Sequence, residues 1–259
     1  MEDSIVRSAL LSVVAVTFRD LPGIGRTLLS LEASLHLPCP TVEVLVKDGG
    51  TPGLRDLIDS RFSWARLIGG ADLGVYDAMN TGLAATSGAW VWFLNGGDEA
   101  VVSDTGTFVT LLERSTADIV MFDYFRREPS GDRYRSSRAP VYIRHALPTS
   151  HQAIVYKGEL ARNSSYSNEY SISADYEFTA RLMNDGAVAE VAHFAIARFF
   201  PGGLSTESQW QVASEALRVQ NRVLRTSWCL RVLSGGRHYG IAVWRTLSRL
   251  TNLVRGRLQ

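Results

Sequence analysis

The chain has 259 residues, 46% of them hydrophobic, and a formal net charge of +1. That length suits one large α/β domain, with or without an appendage, and the apolar content excludes a disordered chain. A near-neutral total excludes a general electrostatic pull toward nucleic acid, so no nucleic-acid partner is expected.

Leu10 to Thr17 (LLSVVAVT) is short, β-branched and apolar on both faces, which predicts a buried strand of a parallel sheet. Ile24, Leu28, Leu31 and Leu35 recur at helical spacing behind Pro22. Thr41 to Val46 predicts a second strand, closed by Asp48-Gly49-Gly50. A short helix over Leu54 to Phe62, a strand over Ala65 to Ile68 and a helix over Val75 to Thr86 follow. Ala89 to Leu94 (AWVWFL) is another buried strand, running into Asn95-Gly96-Gly97-Asp98. This alternation predicts an α/β fold around a mostly parallel sheet. Ligands of such sheets sit beyond the carboxyl ends of the strands. Thr17, Asp48, Asp72 and Asp98 stand at those ends.

The second half is less regular. Ile119 to Tyr124 predicts a strand, and Arg126 to Arg138 a hairpin or a flexible loop. A helix begins near Ala174-Asp175, and Val188 to Phe200 is strand material. The character changes near Thr206. Trp210, Ala213, Leu217 and Leu224 share one helical face, Ser234-Gly235-Gly236 is expected to break the pattern, and Val243, Leu247, Leu250, Val254 and Leu258 form a second stripe. From Glu207 onward there are nine Arg against two Glu. These helices read either as a solvated face packed on the domain or as a peripheral contact with anionic lipid. Domain limits are therefore expected at 1–205, divided into 1–100 and 101–205, with a basic helical extension over 206–259.

Cys39 and Cys229 have no metal-type spacing and are expected to be free thiols. Neither a secretory signal nor a membrane-spanning run is read from the sequence. A cytoplasmic location is expected, with association at the inner face of the membrane through the extension.

Several polar residues invite chemistry. Asp98 either closes an Asn-Gly-Gly-Asp turn or, with glycines letting the backbone come close, holds Mg²⁺ or Mn²⁺. Asp48 either closes a βα turn or bonds a nucleotide. Asp72 and Asp77 are each readable as helix caps. Asp77 and Asn80 share one face of a helical first turn. Gly49-Gly50-Thr51-Pro52-Gly53 lacks the dinucleotide-binding glycine pattern.

The stretch from Asp72 to Glu99 reads DLGVYDAMNTGLAATSGAWVWFLNGGDE. It resembles a pattern of family-2 glycosyltransferases, especially the bacterial exopolysaccharide and colanic-acid type. That pattern runs D-x-G-[IV]-Y-D-A-M-N-x-G, then an apolar strand and F-L-N-x-x-D. SVVAVTF (12–18), VKDGGT (46–51), SHQAIVY (150–156), ISADYEF (172–178) and FFPGGLS (199–205) resemble its other segments, so the likeness covers roughly residues 10 to 205.

The resemblance implies a GT-A fold and transfer from a nucleotide diphosphate sugar to a glycan or lipid-linked acceptor, with inversion, in surface polysaccharide or glycolipid synthesis. It implies a nucleotide-sugar site at Thr17, Asp48, Asp72, Asp77 and Asn80, and an acceptor side at His151 and Gln152. It implies a divalent cation at Asp98, with His193 as a further ligand and Glu99 as a helper, and Asp175 as general base. His151 also reads as an ordinary hydrogen-bonded histidine. Asn95 and Gly97 stand where the family usually carries acids. Two rival readings are a sugar-nucleotidyltransferase, which would need a better triphosphate loop than TFRDLPG (17–23), and a sugar-nucleotide-binding module without turnover.

Overall fold

The computed structural model describes residues 9–202 and 208–256; of residues 245 and 247–256 it describes only the backbone. The expected boundary at 205/206, the end of FFPGGLS, and the side chains of Leu247, Leu250, Val254 and Leu258 lie outside the described residues.

The first hundred residues alternate as expected. They form β1 (Leu11–Thr17), α1 (Leu21–Leu35), β2 (Val42–Asp48), α2 (Leu54–Arg61), β3 (Ala65–Ile68), α3 (Val75–Ala84), β4 (Trp90–Phe93) and β5 (Glu99–Ala100). All seven residues of β1 are buried. Side chains alternate across a strand, so Leu11, Val13 and Ala15 join one core while Val14 and Val16 join the other. The first core packs α1, whose start is capped by Asp20 accepting from the Gly23 N–H at 2.8 Å. The second packs α3, where a Cβ on Gly82 would meet Val14 at 2.5 Å. Only glycine permits that approach.

The remainder forms α4 (Thr105–Arg114), β6 (Ile119–Glu128), β7 (Gly131–Arg135), β8 (Ile154–Lys157), α5 (Gly158–Arg162), α6 (Ala174–Asn184), β9 (Ala189–Phe199), α7 (Gln209–Arg222) and α8 (Trp228–Gly256). The sheet order is β3-β2-β1-β4-β8-β6-β9-β5, with β7 on β6. It is parallel from β3 to β4 and mixed beyond, since β8 runs antiparallel to both β4 and β6. The Arg-rich segment is a hairpin, held by Arg127–Asp132 and Arg135–Glu128 ion pairs.

One expectation fails in the extension. Ser234-Gly235-Gly236 does not break the helix; α8 runs through it. Ser234 and Gly235 are buried, and a Gly235 Cβ would lie 3.5 Å from Leu217 of α7. The small residues let two helices pack closely, and Gln220 donates to the Ser234 hydroxyl at 2.7 Å. The buried face of α7 is Ala213, Ala216 and Val219, while Trp210 is exposed. No helix among the described residues is long and apolar enough to cross a membrane.

Candidate active site

A cleft of about 650 Å³ opens at the ends of β1 and β4. Thr17, Phe18, Asn95, Gly96, Gly97 and Asp98 form one part of its wall. Ser150, His151, Gln152, Ile172, Asp175 and Phe200 form another. Its size is that of a small-molecule site. A Cβ on Gly96 would meet the Thr17 hydroxyl and the Val16 carbonyl at 3.1 Å, so glycine lets the two strand ends approach closely there.

Asp98 is buried between two donors. Its Oδ1 accepts from the Phe200 N–H and its Oδ2 from the Gln152 side-chain amide, each at 2.8 Å. Burial nevertheless pushes its carboxyl up to about 7, against the pull of those two donors. Asp175 sits in the first turn of α6. Burial raises it to about 6, opposed mainly by the Tyr176 N–H, which donates at 2.8 Å. Burial thus raises the pKa of two carboxylates that line one cleft.

The Glycosyl transferase family 2 profile matches residues 12–183. The chain belongs to glycosyltransferase family 2. It is 28% identical over 190 residues to a PGL/p-HBAD biosynthesis glycosyltransferase of Mycobacterium tuberculosis, a match covering 68% of this chain and 72% of that protein. It is 30% identical over 179 residues to an uncharacterized glycosyltransferase of the same organism, covering 66% and 67%. Its fold matches that of S. aureus TarS 1-349 in complex with UDP-GlcNAc, at TM-score 0.65 and 14% identity over 88% of this chain and 71% of that one. The mannosyltransferase PcManGT from Pyrobaculum calidifontis, in complex with GDP-Man and Mn²⁺, matches at TM-score 0.63 and 14% identity over 97% and 81%. These two likenesses establish the GT-A fold.

The other expected site residues of this glycosyltransferase are distributed unevenly. Asp48 lies opposite Thr17 in the sheet register, but its carboxylate closes its own turn on the Gly50 and Thr51 N–H groups. Asp72 pairs with the buried Lys47 ammonium at 2.9 Å and accepts from the Gly74 N–H. Both flank the cleft rather than line it: a Cβ on Gly49 would touch Asp72 on one side and the cleft residue Phe18 on the other. Asp77 accepts from the Leu73 N–H, and Asn80 holds both backbone groups of Tyr166. Neither reaches the cleft wall.

His151 lines the cleft, bonded to the Tyr166 hydroxyl at 2.8 Å. Burial lowers it to about 4, so it is neutral. Gln152 serves Asp98 directly. His193 is placed outside the cleft wall: its exposed ring contacts Asp123 and Ser136 on the β6–β9 side, which corrects its assignment beside Asp98. Glu99 is committed to an ion pair with Arg198.

Two residues on this site escape the sequence reading. Lys47 is fully buried and bonds Asp72 and the carbonyls of Asp48 and Gly70, so one ammonium ties both flanking turns together. A lysine after the apolar Val44-Leu45-Val46 run of β2, directly before an aspartate, is a signal that could have marked it. Arg26 lines the cleft next to Gly97 and lies over the Phe200 ring. Nothing in its helical neighbourhood announces that.

A divalent cation can be tested against these donors. Among the described residues no cluster of three His, Cys, Asp or Glu exists. The Asn95 Oδ1, however, is buried without a hydrogen-bond partner in the same turn as Asp98. One carboxylate and one amide oxygen fit a hard cation that brings most of its ligands as phosphate and water, and do not fit a closed protein cage.

Proposed function

We propose that this enzyme transfers a hexose from a nucleotide diphosphate sugar to a hydroxyl of a glycan or lipid-linked acceptor, with inversion. The observation that carries the reading is Asp175, a half-buried carboxylate of raised pKa in the same cleft as Asp98. Asp175 accepts the proton of the acceptor hydroxyl. The acceptor oxygen then bonds the anomeric carbon as the bond to the diphosphate oxygen breaks, its electron pair leaving with the nucleoside diphosphate. A base near pKa 6 is ionised at neutral pH yet strong enough to help, typically by about 10² to 10⁴ in rate.

Inversion is what the likeness to the family implies, and the supply of carboxylates agrees with it. A double displacement needs a nucleophile besides the acid–base group. The other carboxylates of the cleft are Asp20, which caps α1, and Asp98, held by Gln152 and Phe200. Asp98 and Asn95 would hold Mg²⁺ or Mn²⁺, which supplies Lewis-acid neutralisation of the leaving diphosphate. Arg26 adds fixed positive charge on the same wall. Thr17 and Asp48, with Lys47 and Asp72 behind them, frame the nucleotide. Neighbours of the same fold that bind UDP-GlcNAc and GDP-Man support a nucleotide-sugar donor.

A lipid-linked acceptor, for surface polysaccharide or glycolipid, agrees with the extension. Trp228, Val232, Leu233 and Val243 are exposed on α8, and residues 216–259 contain no acid against nine Arg. An apolar helical face with cations beside it suits the inner surface of an anionic membrane.

Two experiments test the proposal. Thermal shift with UDP-GlcNAc and GDP-Man, with and without Mn²⁺, identifies the donor. Asp175→Asn should then keep donor binding and lose transfer by about 10² to 10⁴; retained turnover would remove Asp175 as base. For the membrane, the protein should pellet with anionic vesicles, less at high salt, and Trp228→Ser with Leu233→Ser should abolish it. Equal pelleting with neutral vesicles would remove the electrostatic part.

A further inference from the structure

We propose that Glu215, on α7 of the C-terminal extension, is a positioning residue for Asp175, so the extension belongs to the catalytic apparatus. The inference rests on Asp175 being the base. Glu215 lies beyond residue 183, where the family match ends.

Its carboxylate is 4% exposed and collects three consecutive backbone N–H groups: Ser171 at 3.1 Å, Ile172 at 3.0 Å and Ser173 at 2.9 Å. Successive N–H groups converging on one anion form a nest. Here the anion is the protein's own side chain. The nested segment leads directly into α6, with Ser173 at its N-cap and Asp175 in its first turn. Ser171 and Ile172 line the cleft beside Asp175.

Glu215 is also the sole acid from residue 208 to the end, in a segment rich in arginine. A merely solvating carboxylate would face those cations. This one points inward and, among the described residues, makes no ion pair with an arginine; it takes instead the three N–H groups and the Gln211 amide at 3.0 Å. Burial works to raise its pKa, but these donors outweigh it and hold the group below the usual range. It is therefore ionised, and its removal would leave three donors unsatisfied, those of Ile172 and Ser173 in buried surroundings.

The same segment is gripped from the opposite side. The Tyr76 hydroxyl, from the Asp72–Asn80 motif, donates to the Ile172 carbonyl at 2.5 Å. The approach to Asp175 is thus clamped between a residue inside the family match and one outside it. Loss of one jaw frees the segment to shift, and a displacement near 1 Å at a reacting group costs about 10² in rate.

Glu215 acts on Asp175 through charge as well, adding to the upward push of burial. The other titratable groups facing Asp175 are Tyr76, Tyr156 and Tyr166, all pushed upward by burial and so neutral. His151, bonded to Tyr166, is neutral too, and Glu177 on α6 is paired with Arg181.

The test compares Glu215→Ala, Glu215→Gln and Asp175→Asn in the full chain. It follows nucleoside diphosphate release from UDP-GlcNAc or GDP-Man, whichever turns over. Glu215→Ala should lower kcat by about 10² while the donor KM stays near wild type. Glu215→Gln, which keeps an acceptor oxygen but not the charge, should recover part of kcat. It should also move the acid limb of the pH profile to lower pH, because a like charge beside Asp175 is gone. If the alanine variant does not fold, the glutamine variant carries the test. A folded Glu215→Gln enzyme with wild-type kcat and an unmoved acid limb overturns the inference, as does a donor KM rising in step with the loss of kcat. An active Asp175→Asn enzyme removes the base itself. An inactive one beside a normal Glu215→Gln removes only the role of Glu215.

Discussion

Asp48, Asp72 and Asp77 resemble Asp98 and Asp175 in sequence, yet the two groups do different work. The first three, all before α3 or within its first turn, are satisfied by neighbours close in the chain or by Lys47. The last two are held by partners reaching across the fold. Asp98 takes Gln152 and Phe200, and the approach to Asp175 takes Glu215. Local satisfaction builds a rigid platform beside the cleft. Distant satisfaction builds a cleft whose carboxylates are buried enough to shift their pKa. The difference shows why acids spaced alike along a chain do not share a function: what matters is how much water each one loses on folding.

The largest effect should come from breaking the platform at Lys47. Its ammonium is buried against Asp72 and two carbonyls. Removing one partner of a buried pair costs about 3–5 kcal/mol, because the other groups stay buried and unpaired. Lys47→Met should therefore lower the melting temperature by roughly 10 °C and weaken nucleotide binding with it. A variant that melts within a degree of wild type would show that the platform does not depend on this ammonium.

An intermediate effect should appear at Asp98. Its folded-state pKa lies above the ordinary carboxylate value, at about 7. In the metal-free protein its contribution to stability is therefore present at low pH and lost as pH rises through about 7. A cation must displace that proton. With UDP present, Mn²⁺ should raise the melting temperature more at pH 8 than at pH 6, and at 100-fold excess over its Kd the gain is about 2.7 kcal/mol. Asp98→Asn should remove the pH-dependent part. Equal Mn²⁺ shifts at both pH values would place the cation elsewhere.

The platform was legible in the sequence because its signals are short-range. Strand β1 announces itself in eight residues, and Asp48-Gly49-Gly50 marks its own turn. The cleft was legible only as single residues: Asp98 and Asp175 could be named, but not their partners. Gln152 was read on the acceptor side without its bond to Asp98 being visible, and the contacts of His193 with Asp123 and Ser136 left no mark in the sequence. Glu215 lies in a helix whose periodicity reports only apolar residues, so a buried acid there leaves no trace in the pattern. The mixed half of the sheet was hidden for a related reason, since strand direction depends on long connections and not on composition.

The smallest effect tests where local reading went astray, at Gly236. A glycine pair predicts a break, whereas α8 continues through it. Gly236 is exposed, and a Cβ there would meet no atom within 4 Å. If the helix is continuous, Gly236→Ala gains helix propensity and loses nothing, worth about 1 kcal/mol. That corresponds to a rise of roughly 2–4 °C for a chain of this size. Gly131, at the hairpin tip with φ of 117°, is the control. Alanine there must adopt a strained backbone, so Gly131→Ala should lower the melting temperature. Should Gly236→Ala also lower it, the glycines form a bend after all, and the packing of α8 on Leu217 through Gly235 would have to be redrawn.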